Sequence, residues 1–357
     1  MFFNLWSRVS YFLADFFLYE IIIVFLFFFG LFAIYKVYKS SFSEKKQKLY
    51  LLAIFTFIIL IFTFSAFEFY FRYVYDESDG LGFLKVNERW HKRHVVYNNY
   101  FFRDLDFNSI KREGVVRIGV LGDSVAFGEG IKNVNNRFSN ILEQKLQNAG
   151  FKVEVYNLGS SGYDTEGEIE QYQRVKQLNF DIIIWQYLLN DIQPLEKSTG
   201  TPIISQNSQT SKLVKFLSNR SYFLDFIYWR FSTRYQKTFE QLKNADLAQY
   251  NNEPVFSQHQ KQIADFVDSL KREKQKIIVV IFPFVHLLPD YPAKGTHTRM
   301  QEVFKESGVD AVIDLLADLE TKQAQDLIAS RFDSHPNELV HQIAADRLFE
   351  IIVPLLK

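Results

Sequence analysis

The sequence predicts an α/β domain, with a parallel sheet covered by helices on both faces, that follows two transmembrane helices. Three observations support this prediction. The first 71 residues contain two long apolar runs, and from Val115 onward β-branched strands alternate with segments of helical spacing. Small polar residues follow several of these strands. Repeating β-α units of this kind form parallel sheets between two layers of helices.

The first two elements are predicted membrane spans, at about residues 16–35 and 49–71. The second span runs from Leu49 to Phe67 without a charged residue. With the aromatic residues that follow, it is long enough to cross a hydrocarbon core of about 30 Å. The first span contains Glu20, for which an interfacial position and a functional carboxylate within the membrane both remain open. The 38 phenylalanines of the 357-residue chain also indicate that part of it is solvated by lipid.

The charges between the spans predict the orientation. Residues 36–48 carry five lysines and one glutamate, so the positive-inside rule places this loop in the cytoplasm. The protein is then a two-pass membrane protein with both termini, and the domain after Arg72, outside the cytoplasm. The basic stretch from Arg89 to Arg93 argues against this orientation, but it lies about 20 residues beyond the membrane, where such charges count less.

Composition excludes several classes of function. The chain contains no cysteine, which excludes disulfides, thiolate metal sites and a cysteine nucleophile. Its formal net charge is zero, which gives no electrostatic case for nucleic-acid binding. The segment LGDSVAFGEG lacks the glycine spacing of a dinucleotide site. We expect neither a cofactor nor a metal.

The remaining elements follow in order. Residues 72–114 form a connector without sustained periodicity, either a stalk that wraps onto the domain edge or a contributor to substrate binding. The domain at 115–357 contains five predicted strands: VVRIGVLG, KVEVYNLG, FDIIIWQYLL, KIIVVIFPF and GVDAVIDLL. Thr165 with Glu168 indicates a capping box at the start of a helix. An insertion at about 192–255 contains an aromatic helical stretch that can be a lid, a membrane-facing flap or a packing helix.

Polar residues at the strand ends suggest serine chemistry, because ligands bind beyond the carboxyl ends of parallel strands. Acyl transfer at a serine needs a nucleophile with a base, an orienting group and donors for the oxyanion. Ser124 at a strand-to-helix turn is the candidate nucleophile and His335 the candidate base. Asp333 lies two residues before His335, and in an extended segment their side chains point the same way.

The candidate oxyanion donors are the backbone N–H groups of Ser124 and Gly162 and the side-chain amide of Asn190. Each of these residues also has a simpler structural explanation. Gly162 can be an ordinary turn residue, Asn190 can cap the segment that follows it, and Asp333 can cap the last helix.

The pattern resembles the SGNH hydrolases, also called the GDSL esterase/lipase family, over about Val115 to Lys357. Four blocks carry the resemblance: LGDSVAFGEG, NLGSSGYDT, LLND and FDSHPN. Leu188 stands where many members have glycine, and Phe332 occupies the position where many members have the aspartate. The resemblance implies a flavodoxin-like three-layer sandwich and metal-free hydrolysis or transfer of ester-linked acyl groups, often acetyl groups on glycans.

Three functions compete. The leading one is a membrane-anchored serine esterase that removes an acyl group, such as acetyl, from a cell-envelope glycan or lipid through an acyl-enzyme on Ser124. The second is an O-acyltransferase that passes the acyl group to a glycan together with a membrane-bound O-acyltransferase partner. The third is a catalytically silent membrane scaffold.

Overall fold

The computed structural model describes residues 21–82, 84–192, 212–231 and 244–357. Glu20 and the start of the first predicted span lie outside these ranges. The chain divides into two compact units. The helical unit falls within Met1–Asp76, Leu84–Lys92 and Thr210–Phe231, and the sheet unit within Glu77–Phe83, Arg93–Gln209 and Ser232–Lys357.

The helical unit contains two long apolar helices. Helix α1 spans Ile21–Tyr38 and α2 spans Glu44–Phe69, with a π-helical turn at Tyr70–Val74 continuing α2. Both are long and apolar enough to cross a membrane, and most of their apolar side chains are exposed. They match the two spans predicted from the sequence.

The described part of this unit also contains three shorter helices: α3 (Lys85–His94), whose last two residues belong to the sheet unit, α7 (Lys212–Ser218) and α8 (Tyr222–Phe231). Phe223 of α8 stacks on Phe67 with ring centroids 4.9 Å apart, and Phe226 stacks on Phe71 at 4.2 Å. The aromatic stretch of the predicted insertion therefore packs against the end of α2.

The sheet unit is built on five parallel strands in the order β2-β1-β3-β4-β5. This is the flavodoxin-like order, so the predicted fold class is confirmed. Isoleucine and valine dominate the central strands, which are buried because helices cover both faces. The strands are β1 (Val116–Leu121), β2 (Val153–Asn157), β3 (Ile182–Tyr187), β4 (Lys276–Ile281) and β5 (Ala311–Asp314).

Helices pack in two groups on the sheet. One group consists of α5 (Phe138–Asn148) and α13 (Glu338–Leu356), and the other of α6 (Thr165–Val175), α10 (Glu253–Arg272) and α11 (Lys294–Ser307). Short helices occur at α4 (Ser124–Phe127), α9 (244–249) and α12 (Leu316–Leu319). His341 of α13 is buried and stacks on Phe138 at 5.7 Å, as expected of a packing residue.

The start of α6 differs from its predicted form. Asp164 is the N-cap, and its carboxylate accepts a hydrogen bond from the Gly167 N–H at 3.0 Å. Glu168 accepts a hydrogen bond from the buried Trp185 indole at 2.7 Å. The predicted capping box of Thr165 with Glu168 is therefore wrong, because the indole holds the glutamate in the core.

Two short antiparallel strands precede the last helix. They are β6 (Ile328–Ser330) and β7 (Asp333–Pro336), and α13 begins two residues after β7. Strand β7 carries both Asp333 and His335, so its extended backbone sets the spacing of their side chains.

Candidate active site

The turn between β1 and α4 presents Ser124. Asp123 caps α4 by accepting a hydrogen bond from the Val125 N–H at 2.8 Å. The side-chain oxygen of Gln186, on β3, accepts from the N–H groups of Asp123 and Ala126, both at 3.1 Å. A Cβ at Gly122 would lie 2.2 Å from that same oxygen, so the close approach of β3 to this turn requires glycine. Ser124 thus lies at the carboxyl edge of the sheet.

The structure brings Ser124, His335 and Asp333 together. His335 Nε2 lies 2.9 Å from Ser124 Oγ, and His335 Nδ1 lies 2.6 Å from Asp333 Oδ1. The side chains of residues 333 and 335 point the same way, as expected for positions two apart on a strand. Serine, imidazole and carboxylate therefore form a continuous hydrogen-bonded chain.

Ser78 is a fourth member of this cluster that the sequence did not reveal. Its hydroxyl donates a hydrogen bond to Asp333 Oδ2. Nearby, the Gly80 N–H donates to the Phe332 carbonyl at 3.0 Å, which ties this segment to the loop before β7. Ser78 lies 255 residues before Asp333 within the predicted connector, and no local motif signals the contact.

Charge and burial shift the pKa of Asp333 in opposite directions, and the same is true of the pKa of His335. Burial disfavours the charged form of both groups, but the imidazolium of His335 and hydrogen bonds from His335 and Ser78 lower the pKa of Asp333 below its usual range. Burial likewise lowers the pKa of His335, yet the Asp333 carboxylate outweighs it and raises that pKa to about 9. The pair is therefore held as an ion pair until the solution becomes alkaline.

Asn190 reaches the same turn. Its amide nitrogen lies 3.5 Å from Asp123 Oδ2, the oxygen that also accepts from Ser124 Oγ at 3.3 Å. Two hydrogen bonds stabilise the turn that carries Asn190. The Asp191 carboxylate accepts from the Leu188 N–H at 2.7 Å, and the Asp191 N–H donates to the Leu188 carbonyl at 3.0 Å. Asn190 therefore presents an amide donor close to Ser124.

Gly162 lies in the turn after β2. Its φ of +79° is in the left-handed region that favours glycine, and the residue is exposed. The Ser160 N–H donates to the Gly122 carbonyl at 3.1 Å, which attaches this turn to the turn that carries Ser124, and the Tyr163 N–H donates to the Ser160 carbonyl at 3.3 Å.

Buried acids lie in and near the turn that carries Ser124. Burial, with the charges of Glu168 and Asp123, raises the pKa of Asp191 well above its usual range. Burial likewise raises the pKa of Asp123, against the lowering effect of the Val125 N–H and the His335 charge. Among the described ranges, no group of three or more histidine or acidic side chains is placed to hold a metal ion.

Two buried arginines fix the chain just after α4. Arg103 donates to the carbonyls of Gly128 and Ile131, both at 2.6 Å. Arg137 donates to the Arg103 carbonyl and pairs with Asp104 at 3.0 Å. Burial, followed by the neighbouring Arg137 charge, lowers the pKa of Arg103 to about 10, which leaves it charged at neutral pH.

Comparison with known proteins gives one family and several structures of similar fold. A family model described as the GDSL-like Lipase/Acylhydrolase family matches residues 120–343. A search of curated proteins found no match. Among solved structures, TesA is 14% identical over 67% of this chain and 99% of its own, with a TM-score of 0.42.

Two esterases show comparable values. Esterase EstA from Pseudoalteromonas sp. is 16% identical over 67% of this chain and 98% of its own, with a TM-score of 0.39. A variant of Axe2, an acetyl-xylooligosaccharide esterase from Geobacillus Stearmophilus, is 14% identical over 66% and 93%, with a TM-score of 0.41. The family match covers more than half of the 357 residues and includes both Ser124 and His335, and the chain therefore belongs to the GDSL-like lipase/acylhydrolase family.

Proposed function

We propose that this chain is a membrane-anchored serine esterase that removes an ester-linked acyl group, such as acetyl, from a cell-envelope glycan or lipid through an acyl-enzyme on Ser124. The observation that carries the proposal is the 2.9 Å contact between His335 Nε2 and Ser124 Oγ, with Asp333 2.6 Å from the other ring nitrogen. This is the order of groups that activates a serine hydroxyl.

In the first half-reaction, neutral His335 takes the proton of Ser124 as Oγ bonds to the ester carbonyl carbon. The resulting imidazolium is stabilised by the Asp333 carboxylate. It then gives its proton to the departing alcohol oxygen as the ester C–O bond breaks, which leaves the acyl group on Ser124.

In the second half-reaction, water attacks the acyl carbon and His335 takes its proton. Collapse of the second tetrahedral intermediate breaks the bond to Ser124 Oγ, and His335 returns the proton to the serine. The products are the free alcohol and the carboxylic acid, so atoms and charges balance.

The oxyanion of each tetrahedral intermediate is assigned to three donors: the N–H groups of Ser124 and Gly162 and the Asn190 amide. The contacts that attach the Asn190 side chain and the Gly162 turn to the turn that carries Ser124 support this assignment. A donor of this kind contributes about 3 kcal/mol to transition-state stabilisation.

The basic loop at 36–48 supports an extracytoplasmic active site, since a cytoplasmic position for this loop puts the chain after α2 on the other side of the membrane. Acylated glycans or lipids of the cell envelope are then the substrates within reach. Labelling of the sheet unit by a membrane-impermeant amine reagent in intact cells tests the orientation; protection until the cells are opened would overturn it.

The serine mechanism is tested with a fluorophosphonate probe, which bonds covalently to an activated serine. We expect labelling of the full-length protein in detergent, loss of labelling in Ser124→Ala and retention in Ser161→Ala, an exposed serine of a neighbouring turn. Absence of labelling in the unaltered protein would refute the mechanism and favour a silent scaffold.

Transfer differs from hydrolysis only in the acceptor that attacks the acyl-enzyme. A chromogenic acetyl ester, supplied with and without a polysaccharide acceptor, separates the two. We expect a rate independent of the acceptor and release of free acetate. Acceleration by the acceptor with acetylated glycan as product would replace the esterase by an O-acyltransferase, the activity that a membrane-bound O-acyltransferase partner would serve.

A further inference from the structure

The end of α2 holds the first turn of α8 through one buried carboxylate. Glu68 Oε1 accepts hydrogen bonds from Arg72 Nη2 at 2.7 Å and from the Tyr222 N–H at 3.0 Å. Its Oε2 accepts from Ser221 Oγ at 2.6 Å and from the Phe223 N–H at 2.9 Å. Glu68 therefore caps a helix that lies more than 150 residues away in the chain, and charge-assisted bonds of this kind are stronger than neutral ones.

Other contacts reinforce this attachment. The buried ring of Tyr222 lies against the cationic groups of Arg72, Lys85 and Arg89, at 4.9, 5.3 and 5.8 Å from the ring centroid. The Asp225 carboxylate accepts from the Lys85 N–H at 2.8 Å, at the start of α3. These contacts fix α8 to the C-terminal end of α2.

The position of Glu68 along α2 indicates the depth in the bilayer at which α8 is attached. Lys48 and Glu68 bracket the uncharged part of α2, and a helix of that length rises about 30 Å, the thickness of a hydrocarbon core. If Lys48 is at one boundary, Glu68 is at the other. Phe223 contacts Phe64 and Phe67 at 5.8 and 4.9 Å, so its ring lies about one turn inside that boundary.

We call residues 212–231, which contain α7 and α8, the aromatic hairpin. Eight of the ten residues of α8 are aromatic or aliphatic, and of its two charged residues Asp225 is buried. Phe216 and Phe231 are largely exposed, as are the side chains of α1 and α2. Tyrosine and tryptophan, which α8 contains at Tyr222, Tyr228 and Trp229, are enriched at membrane interfaces, whereas exposed apolar surface is unfavourable in water.

We propose that the aromatic hairpin is a membrane-binding element that lies in the lipid–water interface of the bilayer crossed by α2. Its occupant is lipid, because the hairpin is continuous with the lipid-facing surface of α2 at the depth where aromatic residues are favoured. The proposal rests on the membrane-spanning assignment of α2 and is independent of the ester chemistry proposed for Ser124.

The absence of cysteine allows a direct test with single nitroxide labels. We would place one label at Phe216→Cys or Phe231→Cys in the full-length protein, in nanodiscs of phosphatidylethanolamine and phosphatidylglycerol. Collision with O₂, which enters lipid, is compared with collision with a water-soluble nickel chelate. Leu60→Cys, 61% exposed in the middle of α2, is the lipid reference, and Ile110→Cys, 81% exposed in the sheet unit, is the water reference.

We expect O₂-to-nickel collision ratios for Phe216→Cys and Phe231→Cys several-fold above that of Ile110→Cys and below that of Leu60→Cys. A ratio equal to that of Ile110→Cys would refute interfacial binding. Low collision with both agents would show that protein, either a partner or another part of this chain, covers the hairpin and would also refute it. A water-exposed Leu60→Cys label would overturn the span itself, and the proposal with it.

The attachment through Glu68 is tested in the same system. Glu68→Gln removes the charge that binds Arg72 and caps α8, and we expect faster motion of the label at Phe231→Cys. Glu44→Gln is the matched control, because Glu44 forms an exposed ion pair with Lys48 at the other end of the same helix. Equal mobility in both variants would show that Glu68 does not hold the hairpin.

Discussion

Replacing Asp333 by asparagine removes one negative charge from the active site while preserving the size of the side chain. In the structure this carboxylate accepts from His335 Nδ1 at 2.6 Å, from the His335 N–H at 3.0 Å and from Ser78. It is buried, so the charge acts on the imidazole with little screening. The variant therefore separates the electrostatic role of the carboxylate from its role in filling space.

The size of the effect follows from the pKa of His335. Burial lowers this pKa, but the Asp333 carboxylate, followed by the charges of Glu129 and Asp123, raises it overall from its ordinary 6.5 to about 9. That difference corresponds to roughly 3 kcal/mol in favour of the imidazolium, or on the order of 100-fold in rate if the full charge forms in the transition state. Above pH 9, where the unaltered imidazole is neutral, we expect kcat/KM of Asp333→Asn to be lower by about that factor. At pH 7 the difference in kcat/KM between the unaltered protein and Asp333→Asn should be much smaller, because roughly 99% of the unaltered imidazole is already protonated and inactive as a base.

The assay is the pH dependence of kcat/KM for a chromogenic acetyl ester between pH 6 and 10, with the Ser124→Ala rate subtracted. In the unaltered enzyme the rate should rise with pH to a plateau with a midpoint near 9. In Asp333→Asn the midpoint should move to lower pH, because burial then acts on the imidazole without the opposing charge. Asp326→Asn, at an exposed carboxylate nearby, should leave the profile unchanged. An equal loss at pH 7 and pH 10 would refute the electrostatic reasoning and leave orientation of the ring as the role of Asp333.

Three further predictions concern the surroundings of the site. Ser78→Ala should lower kcat/KM by about tenfold, because losing a hydrogen bond to a charged group costs about 1.5 kcal/mol. Ser78→Thr, which keeps the hydroxyl, should restore kcat/KM. An unchanged kcat/KM in Ser78→Ala would show that Ser78 does not position Asp333. Asn190→Ala should lower kcat by roughly 100-fold with little change in KM, and a change confined to KM would remove it from the oxyanion hole. Because burial and neighbouring charges raise the pKa of Asp191, its folded form binds a proton more tightly than the unfolded chain, and the protein loses stability as pH rises above about 4. Asp191→Asn should therefore raise Tm clearly at pH 8 and much less at pH 5, and an equal shift at both pH values would contradict this origin.

The elements that the sequence predicted are those with a strong local pattern. The β-branched runs of the five strands are typical of a buried parallel sheet. The long apolar runs of α1 and α2 are typical of helices that can cross a membrane. Ser124, Asn190 and His335 could be proposed because each follows a strand or precedes a helix, where ligand-binding residues collect. The two-residue spacing of Asp333 and His335 predicted a shared direction, and strand β7 provides it.

The contacts that escaped prediction join residues far apart in sequence. The tertiary fold brings the hydroxyl of Ser78 to Asp333 and brings Glu68 to the start of α8. No local sequence pattern encodes either contact. The cap of α6 was misassigned for a related reason. Glu168 suits a capping box by spacing alone, but the Trp185 indole competes for its carboxylate and leaves the cap to Asp164. Tertiary hydrogen bonds decide each of these cases.

The buried arginines that bind the chain just after Ser124 show how far the candidate site extends along the sequence. Arg103 lies before residue 120, where the family match begins, yet its guanidinium binds the carbonyls of Gly128 and Ile131 just after Ser124. A buried guanidinium must have acceptors, and the Gly128 and Ile131 carbonyls in the chain after α4 provide them. These bonds fix the backbone just after Ser124. Since Ser78 contacts Asp333 from the same predicted connector, the part of the chain that shapes this site begins well before the first residue that carries the family pattern.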